Sequence, residues 1–270
     1  MTYQNLLKGI GRFGSTIEDV CQRTIGVSTD TITERVIIAP WWEPQVFSNL
    51  GTETTFLSSS GHSGVNVWNI KSDSFEITYI KTGIGAPLLT DALLVLGATP
   101  CKKAVFVGSV GALDPTIGIG DIVIPEFSIS GDGVGRYLKG GPLRHNDPFG
   151  EKNYPSMDMY NGLKNSVQKV CELNNIPYHM GKTFSTDSIF AQFAHIDEIV
   201  SLGCNVIEME TASAFRAASL SGISLGALFS VSDNPMLEKS LYSGITSEDR
   251  EYKKEVLRNI FPKILLDVLR

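Results

Sequence analysis

The chain has 270 residues, 42% hydrophobic and 19% charged, with 26 glycines and 12 prolines, a composition that suits one large globular α/β core. A net charge of −6 with scattered basic residues gives no footprint for nucleic acid, and no apolar run is long enough to span a membrane. Met1-Thr2-Tyr3-Gln4-Asn5 lacks a signal-peptide pattern and the four cysteines and four histidines are dispersed, so reduced thiols, a cytoplasmic location and no metal site are the expectations.

In chain order, residues 1–34 read as an N-terminal extension with one helix around Gly14–Arg23. Arg35-Val36-Ile37-Ile38-Ala39 is a continuous apolar run, as in a strand buried on both faces. Val65–Lys71 and Phe75–Lys81 read as two strands joined at Ser72-Asp73-Ser74. Ala86–Leu96 is a helix begun by Pro87. Strands over Ala104–Gly108 and Asp121–Ile129 flank the glycine-rich segment Gly108–Pro115. Gly131–Pro155 holds six glycines and three prolines and reads as a long irregular excursion. Helical periodicity covers Met157–Leu173 and Glu210–Ser221, and strands are expected over Tyr178–Thr186, Asn205–Ile207 and Leu225–Val231. One amphipathic helix, Ser247–Leu269, closes the chain, with Thr246 or Ser247 as its N-cap and Asp249 in its first turn. The alternation predicts a single α/β domain over residues 35–270, a central mixed sheet with helices on both faces.

Chemistry concentrates in two segments. In Asn205-Val206-Ile207-Glu208-Met209-Glu210-Thr211-Ala212 a buried strand runs into paired carboxylates at a helix start, the place where an open α/β sheet keeps its site. On extended chain Glu208 and Glu210 would face one way and Met209 the other. A carboxylate accepting two hydrogen bonds suits a sugar diol, although glutamates in a first turn also serve the helix dipole alone. In Val231-Ser232-Asp233-Asn234 a second strand ends in an aspartate, and Asp-Asn-Pro is equally a turn former. Thr82-Gly83-Ile84-Gly85-Ala86-Pro87 and Val107-Gly108-Ser109-Val110-Gly111 offer backbone nests for an anion. The first lacks the third glycine of a dinucleotide fingerprint, and no serine has a base in a hydrolase-like motif.

Taken in order, Thr82-Gly83-Ile84-Gly85, Val107-Gly108-Ser109-Val110-Gly111-Ala112, Gly120-Asp121-Ile122-Val123, Ile207-Glu208-Met209-Glu210-Thr211-Ala212 and Val231-Ser232-Asp233 resemble the nucleoside phosphorylase superfamily over about residues 35–269. This is the group of purine nucleoside and uridine phosphorylases and their nucleosidase cousins. The resemblance implies an enzyme without a cofactor, using inorganic phosphate as co-substrate to cleave the N-glycosidic bond of a nucleoside. It also implies a homo-oligomer, dimer, trimer or hexamer. It makes Met209, Glu210 and Glu208 the ribose-binding group and Asp233 the acid that protonates N7 of a purine, with Arg250 as its helper. Ile189, Phe190 and Gln192 would wall or read the base, and Gly83 and Ser109 would belong to the phosphate cradle.

The anion site departs from that pattern. Where the purine enzymes carry an arginine three residues before the serine, this chain has Phe106, and Pro40-Trp41-Trp42-Glu43 replaces a glycine-and-arginine segment. A phosphate dianion wants charge-assisted partners, and Lys81, Arg35, Arg136 and His62 are the available candidates. Three readings stay open: phosphorolysis of a nucleoside, with Asp233 and Arg250 favouring a purine and Gln192 hinting at uracil; hydrolysis with Glu43 activating water; and a non-catalytic nucleoside or base binder.

Overall fold

The computed structural model describes residues 1–60 and 64–270. In chain order the elements are α1 (Tyr3–Arg12), α2 (Ile17–Thr24), β1 (Arg35–Ala39), β2 (Glu53–Ser59), β3 (Asn66–Lys71), β4 (Glu76–Lys81), α3 (Ala86–Leu96), β5 (Lys103–Ala112), β6 (Ile122–Ser130) and β7 (Lys152–Asn153). They continue with α4 (Met157–Asn174), β8 (Tyr178–Ser185), α5 (Ile189–Gln192), α6 (Ile196–Ser201), β9 (Val206–Glu208), α7 (Thr211–Ser221), β10 (Ser224–Asp233), α8 (Ser247–Asn259) and α9 (Phe261–Leu269).

The described strands form one mixed sheet with helices on both faces, as the alternation of elements predicts. In β1, Val36 and Ile38 enter a core under α2, α3 and α7, while Ile37 and Ala39 enter the opposite core with α4, α8 and α9. That period of two on a strand buried on both faces is why the run reads as continuously apolar. Strand β5 pairs in parallel with β1 and β10 and antiparallel with β9. Strand β10 pairs with β6, β6 with β8, and β8 with β9. The ladders therefore close through β5, β10, β6, β8 and β9, while β4, β3 and β2 extend the sheet to a free edge.

Several elements differ from expectation, the short helices α5 and α6 and strand β7 among them. The extension carries two helices rather than one, and α1 is tied to α3 by the Tyr3 hydroxyl donating to the Leu94 carbonyl at 2.6 Å. Strand β2 forms from a segment without apolar alternation, because as the edge strand it pairs with β3 alone and buries little. Strand β5 continues through its glycines to Ala112, since its last residues pair with β10 and β9. The final helix is broken at Ile260. Pro262 has no N–H to give and its ring opposes a continuing helix, so α9 restarts with the proline at its N-terminal end. The Thr246 N-cap appears as expected, with Asp249 completing a capping box. The Gly131–Pro155 excursion contains short 3-10 turns at Val134–Leu138 and Leu143–His145 before β7.

Candidate functional site

A cavity of about 300 Å³ opens where β5, β9 and β10 end. Ser109 and Gly111 come from β5, Ile207 and Glu208 from β9, and Ser232 and Asp233 from β10. The β9–α7 junction adds Met209 and Glu210, and α5 adds Ile189 and Gln192. Trp41, Ile84, Leu241 and Lys253 complete the lining.

At the β9–α7 corner the chain leaves extended geometry after Glu208, and Glu210 is already the residue preceding α7. The two carboxylates therefore do not repeat one strand face, the geometry expected of extended chain. The Oε2 of Glu208 accepts from the Glu210 N–H at 2.7 Å and the Thr211 N–H at 2.8 Å, capping α7 from the strand. Its Oε1 accepts from the Ser185 hydroxyl, whose oxygen accepts in turn from the Ala212 N–H. Glu210 reaches the start of α3, accepting from the Gly85 N–H at 2.6 Å. Gly85 sits at φ +112°, a conformation that side chains resist. Burial lifts both carboxyls above the usual glutamate range, and Glu210 is pushed up to about 8 by burial and the neighbouring charge of Glu208. The three donors onto Glu208 suit it to carry that negative charge.

Across the cavity, a bulge between Val231 and Asp233 breaks the β10–β5 register and re-aims the last residue of the strand. Asp233 is 3% exposed. A Cβ at Gly111 would lie 3.4 Å from both its carboxyl oxygens, so the aspartate sits directly over the end of β5. Burial raises the Asp233 carboxyl above the usual range, against the lowering effects of the Ser232 hydroxyl and the Lys253 charge. Lys253 is half-buried and lies below the usual lysine range because of burial, partly offset by Asp233. Such a pocket can present an undissociated acid and a cation to one edge of a ligand, opposite a carboxyl pair. No group of residues able to hold a metal occurs among the described residues.

The structure thus brings together Asp233, Glu208, Met209, Glu210, Ser109, Ile189 and Gln192. It places four other candidates elsewhere. Phe190 follows Ile189 but points outward, 83% exposed. Arg250 is exposed on α8 and outside the lining; Lys253, one turn on, faces inward. The Gly83 N–H is already engaged by the Pro40 carbonyl at 3.0 Å, and Ile84 lines the cavity in its place. Glu43 lies in an ion pair with Lys81 at 2.7 Å, beside a separate apolar cavity, and the Lys81 hydrogen bond holds its carboxyl below the usual range. Phe106 is buried in the core, edge-on to Phe229. Of the candidate phosphate cations, Lys81, Arg35 and Arg136 do not line the cavity, and His62 lies outside the described residues. Lys253 was not singled out from sequence. Its signal was the spacing Lys253, Val256, Ile260, which puts it in phase with buried Val256 of α8 and with Ile260 just beyond it.

Residues 39–268 match a family model described as the phosphorylase superfamily. Among curated relatives, a uridine phosphorylase of Thermococcus kodakarensis is 27% identical over 179 residues, 61% of this chain and 60% of that protein. A guanosine phosphorylase of Halorubrum lacusprofundi is 25% identical over 167 residues, 62% of this chain and 64% of that protein. The chain thus spans less than two thirds of the length of these relatives. A crystal structure of purine nucleoside phosphorylase from Toxoplasma gondii in complex with immucillin-H superposes with a TM-score of 0.72 at 19% identity, covering 90% of this chain and 94% of that one. Uridine phosphorylase from Vibrio fischeri superposes with a TM-score of 0.70 at 20% identity, covering 90% and 95%.

Proposed function

From the premise that the chain belongs to the phosphorylase superfamily, we propose that it cleaves the N-glycosidic bond of a purine nucleoside with inorganic phosphate, giving free base and ribose 1-phosphate. The observation that carries the reading is Asp233, a buried carboxyl held above its usual range in the same cavity as Met209 and Glu210. As the bond from C1′ to the base stretches, negative charge grows on the purine and positive charge on the ribose. Asp233 delivers its proton to N7, and the base leaves neutral. Glu210 holds the ribose diol, Glu208 fixes the corner that carries it, and Met209 packs against the sugar. The Ser109 hydroxyl, which lines the cavity without a hydrogen-bond partner among the described residues, donates to phosphate, whose oxygen forms the new bond to C1′. Residues 35–270 are the catalytic domain in this reading and residues 1–34 its extension.

We place the protein in the cytoplasm as a homo-oligomer, in keeping with four unpaired, buried cysteines and with Phe190 exposed on α5. Among the described residues no helix is long and apolar enough to cross a membrane.

The test is release of free base from inosine, adenosine, uridine and methylthioadenosine, with and without phosphate. Phosphate-dependent release from purine nucleosides is the expected result. Equal release without phosphate would make water the acceptor, and release from uridine alone would overturn the purine assignment.

A further inference from the structure

Lys253 is the one basic side chain lining the cavity among the described residues, and there it has neither a hydrogen bond nor an ion pair. A half-buried ammonium without a partner is costly, so its place is informative. It lines the same cavity as Asp233 and feels that residue's charge without forming an ion pair with it, so both groups remain open to a ligand. Its backbone is fixed: a Cβ at Gly120 would lie 3.2 Å from the Lys253 Cα and 2.7 Å from the Tyr252 ring, so α8 packs directly on that turn.

The two groups select a particular edge. A 6-oxopurine such as guanine or hypoxanthine presents two adjacent acceptors, N7 and O6; adenine presents the N7 acceptor beside an amino donor. An acid that gives its proton to N7 and an ammonium beside it form a matched pair of donors for the first edge. Against adenine the ammonium would face another donor. We propose that Lys253 is the specificity-determining residue of this site, donating to the 6-oxygen of a 6-oxopurine nucleoside while Asp233 serves N7. The inference rests on the purine reading above and narrows it to one substrate class. The unpartnered amide of Gln192, 9% exposed on the cavity wall, is available for the remaining polar edge of the same base.

The experiment compares wild type with Lys253→Met, of similar bulk, and Lys253→Arg, which keeps the charge. Two quantities are read: kcat/KM for inosine and adenosine at several phosphate concentrations, and calorimetric binding of hypoxanthine and adenine. Wild type should favour inosine, and hypoxanthine among the bases, by at least about tenfold, because a donor meeting a donor forfeits a hydrogen bond. Lys253→Met should collapse that preference to within about threefold, and Lys253→Arg should restore part of it. Equal losses for both nucleosides would overturn the proposal. So would a loss appearing only as a raised phosphate KM, which would make Lys253 an anion ligand. If neither nucleoside is cleaved, the glycosidic reading fails by itself, and base binding still decides: hypoxanthine preferred through Lys253 supports the inference, and equal affinity for the two bases sinks it.

Discussion

The two walls of the cavity are built on different principles. At the β9–α7 corner the carboxylates are wired into the fold: Glu208 takes the Ser185 hydroxyl and two backbone N–H groups, and Glu210 takes the N–H that opens α3. Elsewhere around the cavity, Asp233 of β10 is anchored by its neighbour Ser232, while Lys253 of α8 and Gln192 of α5 face the cavity without fixed partners. A wall whose polar groups satisfy one another can position a substrate to within tenths of an ångström. Groups left unsatisfied wait for partners, and those partners define what is bound. The first wall suits what all substrates of a class share, and the second what distinguishes them.

Substitutions can break this contrast. The largest effect is expected from Asp233→Asn, which keeps shape and removes the acid: purine nucleoside turnover should fall about 10²–10⁴-fold with little change in thermal midpoint, read by steady-state kinetics and calorimetry. A loss under about threefold would end the assignment of Asp233 as proton donor. On the wired wall the damage should be structural. Glu208→Ala leaves three donors without their acceptor and should cost about 3 kcal/mol or more in urea unfolding; a cost under about 0.5 kcal/mol would show that the corner holds without it.

A subtler effect comes from protonation. Because the folded Glu210 carboxyl is raised to about 8 from 4.5, its contribution to stability is present at low pH and is lost as pH rises through the folded value. Wild-type stability should therefore fall between pH 5 and 9 by up to a few kcal/mol. Glu210→Gln should flatten that slope, and parallel curves for the two proteins would refute it. The smallest effect is expected at Glu43. Its exposed pair with Lys81 stands apart from the cavity, so Glu43→Gln should leave base release within about threefold and stability within about 1 kcal/mol. A hundredfold loss would instead tie Glu43 to the chemistry.

Much of this was written locally in the sequence. Unbroken apolar strands such as β1 and the junction of Glu208 with Glu210 announce themselves through period and position. What stayed hidden depends on contacts between distant segments. Glycines at 108 and 111 suggest a loop, yet β5 runs on because β9 and β10 supply its partners. Strand β2 has no inward face to declare it. Arg250 has the motif match, yet α8, seated against Gly120, turns Lys253 into the cavity instead. The Gly83 N–H looks free in a nest and is taken by Pro40, a residue more than 40 positions earlier.

The closure of the ladders around β5 has a dynamic consequence. Strand β2, paired on one side only, can peel away while the rest of the sheet stays intact. Strand β5 pairs with β10 from Lys103 to Gly111 and, on its other side, with β1 at its start and β9 at its end, and the loop of pairing through β10, β6, β8 and β9 returns to it. No end exists from which it can fray alone. Amide protons of Ala104 and Val105, flanked by β1 and β10, should therefore exchange with solvent only when the whole molecule opens, whereas those of β2 exchange through local excursions. The strand that floors the cavity is thus rooted in what should be the slowest-breathing part of the protein, although the side chains rising from it are among the least committed.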